Sequence, residues 1–463
     1  MTAAKTAADL GSFTGRRGGS DAERRAGLWL SERLRSQGRV ATIETFWCRP
    51  NWALAHAWHA ILGLGASVLI VSHARIGGAL ALVAAVSIAL DSATGRSLGR
   101  RLTPERASQN VVALDPAEAP TARLIVTANY DAGRDGLVYR PGPRRLAATL
   151  RRAAAGGRLT PGWLGWLTIA LLWLVVVAIV RNGGTSGTPI DVLQLVPSIG
   201  LLGAAVALLE LSLSATSPGA SDNAAGVAVA LETIAALDAR DHAVPAGRVA
   251  VDLVLQGASD GDGTGLRRHL RRSREARPLV IGIAACGAGS PRWWRSDGPL
   301  WPLRYDRRLS ALAASAQASA DGSADGPADG SADGPADGPA DAPADAPADA
   351  PADAPADAPA DAPADASTDG PADASPAGSA DGPAADSPGG HRGRGTTPAL
   401  TARAAGLPAI AIGCLDERGL APRSHRSTDV ADALEPHSLA AAARFAVELI
   451  IAIECSARPA MLA

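Results

Sequence analysis

Four apolar stretches, arranged as two close pairs, restrict this chain more than anything else in it. Residues 53–72 (ALAHAWHAILGLGASVLIVS) and 76–90 (IGGALALVAAVSIAL) are separated by a stub carrying Arg75. Residues 162–180 (GWLGWLTIALLWLVVVAIV) are followed, across the polar RNGGTSGTP, by a fourth stretch from about 190 to 213. A helix needs about 20 apolar residues to cross the hydrocarbon of a bilayer. The third stretch has that length, the fourth nearly so with Asp191 and Glu210 at its ends, and the second is short at fifteen residues. The reading is four spans in two hairpins, with a re-entrant or buried second segment as the alternative. Trp52, Trp58, Trp163 and Trp166 lie near segment starts, where indoles favour the membrane interface. His56 and His59 share a helix face; that spacing allows a proton or metal site, but polar side chains at the interface are the preferred reading. A dozen Arg lie between Asp91 and Thr160, while the hairpin tips carry only Arg75 and Arg181. The positive-inside rule then predicts an integral, multi-pass membrane protein with both tips outside and its remaining parts cytoplasmic. Membrane lipids are its first expected partners.

The formal net charge of −2 conceals an uneven distribution. Residues 318–389 hold sixteen Asp and no Lys or Arg, so everything else carries a net +14. The ADGP and ADAP repeats of that stretch offer almost nothing to bury, and Pro and Asp every four residues cannot build a core. They read as an extended, disordered acidic loop, an expansion tolerated at a surface or one lying against the basic face of its own protein. No nucleic-acid partner is expected. Cys48, Cys286, Cys414 and Cys455 lack the paired spacing of a zinc ribbon or redox motif, so they read as isolated thiols in a reducing compartment. The opening MTAAKTAADLGSFTG has no apolar core of the secretory kind.

Between the apolar stretches the pattern changes to short strands and amphipathic helices. Ser20 and Glu23 form a capping-box pattern, and Ala22, Ala26, Leu30 and Leu34 follow at helical spacing. Residues 39–47, 110–114, 123–128, 248–256, 278–284 and 407–413 are rich in β-branched residues and bounded by turn signals, as buried strands are. Helices are predicted at 224–238, with Val227, Leu231 and Ile234 on one face, and at about 436–453. Alternation of this kind implies an α/β fold, a mostly parallel mixed sheet with helices on both faces, interrupted by two transmembrane helical hairpins. The expected organisation is one domain assembled from 1–52, 92–160, 214–317 and 390–463, with hairpins at 53–91 and 161–213 and the acidic repeat at 318–389.

Two stretches carry candidate chemistry. SPGASDNAAGVAVALE puts Asp222 after a small-residue turn and before a helix, where it reads equally as a helix cap. PRSHRSTDVADAL puts His425 and Asp429 in a loop before the last helix, where a lone His is ordinarily a polar surface residue. A third, IVTANYDAGRDG, ends an apolar run in Asn129, Tyr130 and Asp131, and the carboxyl ends of such strands are where α/β folds place ligands. Taken together these pieces resemble the zinc-dependent aminopeptidases and glutamate-carboxypeptidase-like exopeptidases with a two-zinc site. LGSFTGRRGGSDAERRAGLWLSERLRSQG is similar to that family's opening R-x-x-G-S and amphipathic helix. The NV strand, the H-Y-D strand end, the D-D/N-x-x-G-V helix start, the G-x-E-E strand end, the G-x-P strand and the H-x-x-x-D loop follow in the family's order.

The resemblance implies roles position by position. Asn129 stands where the family has a His ligand of one zinc, and Asp131 where it has the carboxylate that orients that ligand. Asp222 matches the bridging carboxylate. Ser259 and Asp260 stand at the Glu-Glu pair, the first the general base and the second a ligand of the other zinc. Ala284 stands near an Asp ligand, and His425 matches the last ligand. One zinc position thus keeps only Asp222, whereas Asp222, Asp260 and His425 could hold the other, so zero or one zinc is expected, or two if the ligand assignment has slipped. Asp262, or polar residues past Gly287, would then lie nearer the site. Because Ser259 cannot act as a base near neutral pH, the expected function is that of a membrane-anchored aminopeptidase-like protein with reduced or no peptidase activity, binding a peptide or protein. A residual single-zinc exopeptidase or amidohydrolase is the second reading. A small transporter ranks well below, because the apolar segments hold few of the ionisable residues that transport sites show.

Overall fold

The computed structural model describes residues 2–116, 120, 122–153, 160–241, 249–273, 277–322 and 390–457. All six expected strands form: β1 (Ala41–Cys48), β2 (Arg106–Ala113), β3 (Ala122–Asn129), β4 (Val249–Gln256), β5 (Leu279–Ile283) and β9 (Ala409–Leu415). Three more, β6 (Ser290–Asp297), β7 (Leu303–Arg304) and β8 (Gly390–Arg392), extend one side. The nine-stranded sheet has the order β1-β2-β4-β3-β5-β9-β6-β7, with β8 beside β6. The expectation of a mostly parallel sheet holds for the centre and for the β6–β8 pair. The neighbours β4, β3, β5 and β9 are parallel, whereas β1–β2, β2–β4, β6–β9 and β6–β7 are antiparallel.

Adjacent residues of the central strands face opposite layers, as the two-residue period of a strand requires. Leu124 and Val126 are buried with residues of α1 (Ala3–Gly11), α2 (Asp21–Ser36), α9 (Gly226–Asp241), α11 (Arg307–Gly322) and α13 (Pro436–Ala457). Ile125 points the other way, into a cluster with Leu266 of α10 (Thr264–Arg272) and Ala402 of α12 (Leu400–Ala404). Helix α2 starts where the sequence predicts. The Ser20 hydroxyl accepts the Glu23 N–H at 3.1 Å, Asp21 and Glu23 occupy the first turn, and Arg33 and Arg35 the last, each sign placed to favour the helix dipole. The acidic repeat, from residue 323 on, lies outside the described residues; its first residues belong to the end of α11.

The apolar stretches form α3 (Trp52–Ser72), α4 (Ala74–Thr94), α7 (Trp163–Asn182) and α8 (Thr188–Leu213), all long and apolar enough to cross a membrane. The short helices α5 (Leu98–Arg101) and α6 (Pro141–Ala153) flank them in the chain. The second stretch is not short: α4 has 21 residues, because Asp91, Ser92 and Thr94 continue the helix to a left-handed Gly95. Small residues allow close approach within the bundle. A Cβ on Gly77 would lie 2.5 Å from the Ala66 carbonyl oxygen. The outward side chains are apolar, with Val68, Ile179 and Leu213 exposed by 73%, 67% and 83%.

His56 and His59 are both buried against neighbouring side chains. His56 Nε2 lies 3.3 Å from Asp91 Oδ2, and His59 Nε2 lies 2.8 Å from Ser87 Oγ. Asp91 also accepts from Arg100 Nε at 2.6 Å, and the same guanidinium reaches Asp262 Oδ2 at 2.7 Å. Polar residues at the ends of these apolar helices thus pair with one another, through His56, Asp91 and Arg100 and through His59 and Ser87.

Strand directions put both hairpins at one edge of the sheet. β1 runs parallel to β4 because both are antiparallel to β2. The end of β1, the start of β2 and the ends of β3 and β4 therefore share an edge. The α3–α4 pair connects β1 to β2 there, and α7–α8 lies between the end of β3 and the turn into α9. Removing one partner of a buried ion pair strands the other charge, at a cost of about 3–5 kcal/mol. Asp262→Ala and Asp91→Ala are each expected to lower stability by that order, measured as denaturant or thermal unfolding of detergent-purified protein, with Asp21→Ala, at an exposed pair, as the near-neutral control.

Candidate functional site

Four loops meet at the shared edge: 130–136 after β3, 257–263 after β4, 284–289 after β5, and 416–429 after β9. With the Ala220–Ala225 turn before α9 they bring together three of the expected side chains. His425 Nε2 lies 3.3 Å from Asp260 Oδ1 and 3.6 Å from Asp222 Oδ2. His425 has a left-handed backbone, φ +57°. Its ring is stacked on Tyr139, centroids 4.3 Å apart, and its Nδ1 faces the Arg134 carbonyl oxygen at 3.3 Å. Gly133 closes over the ring: any Cβ there would overlap His425.

Each carboxylate is held by neighbours that are not candidate ligands. Asp131 does not orient residue 129. Its oxygens accept the backbone N–H groups of Ser259 (3.0 Å) and Asp260 (3.0 Å), fixing the loop that presents Asp260. Burial pushes the Asp131 carboxyl well above the usual range, and the carboxylates of Glu23 and Asp260 push it further. Glu23, expected only as part of a helix cap, accepts from Gly19 N–H, Ser108 and Ala258 N–H, and burial raises it to about 7. Asp429 accepts the N–H groups of Ser221 (2.7 Å) and Asp222 (3.0 Å); burial raises it to about 6 against those bonds. The Ser424 hydroxyl donates to Asp222 Oδ2, and the peptide bond from Asp222 to Asn223 is cis.

Beneath the site lies a fully buried Arg16. It donates to the carbonyls of Tyr130 (2.9 Å), Pro218 (2.8 Å) and Gly219 (2.5 Å), joining the end of β3 to the turn before Asp222. The sequence displays this arginine inside its opening motif but gives no sign that it would serve three carbonyls more than a hundred residues away. Asn223 is equally unannounced.

The other expected positions have structural occupations. Asn129 Oδ1 accepts from Asn223 Nδ2 at 3.1 Å, and that amide donates its second proton to the Ile283 carbonyl at 3.0 Å, so the ends of β3 and β5 are joined through it. Ala284 offers a methyl group and no donor, with its N–H bonded to the Ile412 carbonyl. The Ser259 hydroxyl donates to the Gly257 carbonyl and accepts the Gly265 N–H, closing its own loop. Asp262 is engaged by Arg100, and the polar residue past Gly287, Ser290, begins β6.

As the side chains stand, no group of three or more His, Cys, Asp or Glu among the described residues is gathered closely enough to hold a metal. The donor chemistry of Asp222, Asp260 and His425 nonetheless suits one zinc ion: one imidazole nitrogen, two carboxylates, and a carbonyl behind the far ring nitrogen. Of Asn129, Asp222 and Ala284, only Asp222 carries an anionic donor.

No protein-family model matches the chain, and no curated protein matches it. Solved structures similar to it include LapB from Legionella pneumophila, at 8% identity over 98% of this chain and 71% of that one, TM-score 0.46. A glutaminyl cyclase from Porphyromonas gingivalis is similar at 12% identity over 99% and 97%, TM-score 0.45. A Zn-dependent exopeptidase from Parabacteroides distasonis is similar at 10% identity over 97% and 96%, TM-score 0.46. Each score is below 0.5, so the chemistry rests on the side chains described above.

Burial works against a charged His425, but the carboxylates of Asp260 and Asp222 outweigh it and raise its pKa to about 9. A raised pKa stabilises the fold fully below the unfolded value of about 6.5 and loses that contribution as pH rises through the folded value. In metal-free protein, the His425 ring resonance is expected to titrate near pH 9 and to fall sharply in Asp260→Asn. Stability should decline between about pH 6.5 and 9 more steeply in the wild type than in His425→Gln, where the buried Glu23 and Asp131 carboxyls remain to weaken the fold as pH rises.

Proposed function

We propose that this chain is a membrane-embedded protein of the aminopeptidase-like exopeptidase type, cytoplasmic in its folded part, that binds a peptide or protein and hydrolyses it slowly or not at all. The observation that carries the reading is the division of labour at the sheet edge. Asn129, Ser259 and Ala284 are spent on the fold, while Asp222, Asp260 and His425 converge. A single zinc held by those three would polarise a carbonyl and acidify a bound water. The chain's own contributions are narrower. Asp131 and Asp429 fix the two carboxylates, the Arg134 carbonyl and Tyr139 fix the imidazole, and the Ser259 hydroxyl, already donating to Gly257, takes no proton from a nucleophile. Absence of a general base costs about 10²–10⁴ in rate. The four apolar helices and the arginine-rich segment between the hairpins support the membrane placement.

Elemental analysis of detergent-purified protein after zinc loading is expected to give about one zinc per chain, lost in His425→Ala. Aminoacyl and short peptide substrates should turn over about 10²–10⁴ more slowly than with a two-zinc peptidase assayed alongside. Two zinc ions per chain, or turnover equal to that reference, would overturn the proposal.

A further inference from the structure

A cavity opens beside the site, between the sheet edge and the ends of two apolar helices. Its walls include Arg17, Arg106 and Arg134, with Trp52, Leu211 and Asp260. Trp52 opens α3 and Leu211 lies in the last turn of α8, so the cavity sits where apolar helix meets folded domain. Resting on the membrane placement proposed above, we infer that this cavity binds the phosphate of an anionic phospholipid headgroup.

Two of its three guanidiniums have no partner among the described residues. Arg17 and Arg106 are exposed, and neither guanidinium makes an ion pair or hydrogen bond among the described residues. Arg134 donates to the Ser214 carbonyl at 2.7 Å and makes no ion pair among the described residues, although the Asp260 carboxylate favours its charge. Burial, followed by the neighbouring Arg17, holds it below the usual arginine range; Asp260 pulls the other way, and Arg106 adds to the lowering. Both carboxylates at the cavity floor are committed elsewhere: Asp260 to His425, and Asp131 to two backbone N–H groups. Three guanidiniums facing one space repel one another until an anion enters, and a phosphate, with several acceptor oxygens, matches their forked donors. The depth selects the source. A bilayer around α3 and α8 puts its headgroups at the level of Trp52, and the cytoplasmic leaflet supplies anionic lipids.

The test uses the full chain, purified in neutral detergent, stripped of lipid, and followed by thermal unfolding. Dioctanoyl phosphatidylglycerol, dioctanoyl phosphatidylcholine and inorganic phosphate are titrated separately into wild type, the double variant Arg17→Ala/Arg106→Ala, and Arg24→Ala, whose arginine is exposed and paired with Asp21. Phosphatidylglycerol is expected to bind about tenfold more tightly than phosphatidylcholine, and the double variant to lose about 30-fold, each arginine contributing about fivefold. Arg24→Ala should match wild type. Equal binding of the two lipids, or a double variant that binds like wild type, would overturn the inference. Inorganic phosphate binding as tightly as the lipid would overturn the lipid as source in favour of a soluble phosphate. Recovery of the chain from the soluble fraction without detergent would overturn the membrane placement and the lipid source together, while the phosphate titration would still report on the arginines.

Discussion

The guanidinium of Arg100, buried between Asp91 and Asp262, decides how the two halves of this molecule meet. Asp91 belongs to the last turn of an apolar helix and Asp262 to the loop that carries Asp260. Arginine cannot shed its proton to escape burial, so its charge must be matched in place. A further bond from Arg100 to the Arg49 carbonyl adds the chain segment that enters α3. The loop after β4 is thereby gripped from two directions. Asp131 holds it from the sheet, and Arg100 holds it from the helices. A second line runs from α8 through Glu210, which accepts the Leu137 N–H, to the segment bearing Tyr139 and so to the His425 ring. The helices act on the position of the site residues as well as on their surroundings.

Order at the site comes from residues that would never touch a ligand. Arg16 joins three carbonyls, Asp429 holds the turn at Asp222, and Asp131 holds the turn at Asp260. This is the support that holds a constellation of side chains in a fixed geometry. Such support serves binding as well as catalysis, since a set of side chains gains affinity from being held still whether or not a proton is moved.

Much of the fold was legible because burial on both faces forces runs of β-branched residues, and those runs are visible in β3, β4, β5 and β9. β6 was not, because SPRWWRSD contains two arginines and an aspartate and follows no alternation; its place comes from pairing with β9. The length of α4 was hidden for a related reason. Apolar counting stops at Asp91, whereas the helix continues once Arg100 neutralises that carboxylate. At the site, residue type and motif order identified Asp222, Asp260 and His425, which converge. They did not reveal that Asp131 serves the backbone at 259 and 260, that Asn129 bonds to Asn223, or that His56 and His59 are buried. Those facts depend on partners far away in sequence, and a single residue's chemistry does not name its partner.

Both apolar hairpins leave the sheet at the edge that carries the site. With those helices in a bilayer, as proposed, the opening looks toward the lipid surface and not into bulk water, leaving a shallow vestibule between membrane and protein. A ligand tethered to the membrane would find it by diffusion in two dimensions, at a local concentration fixed by surface density. The same fold on a free-standing chain would discriminate among ligands by sequence; here the first discrimination is by address.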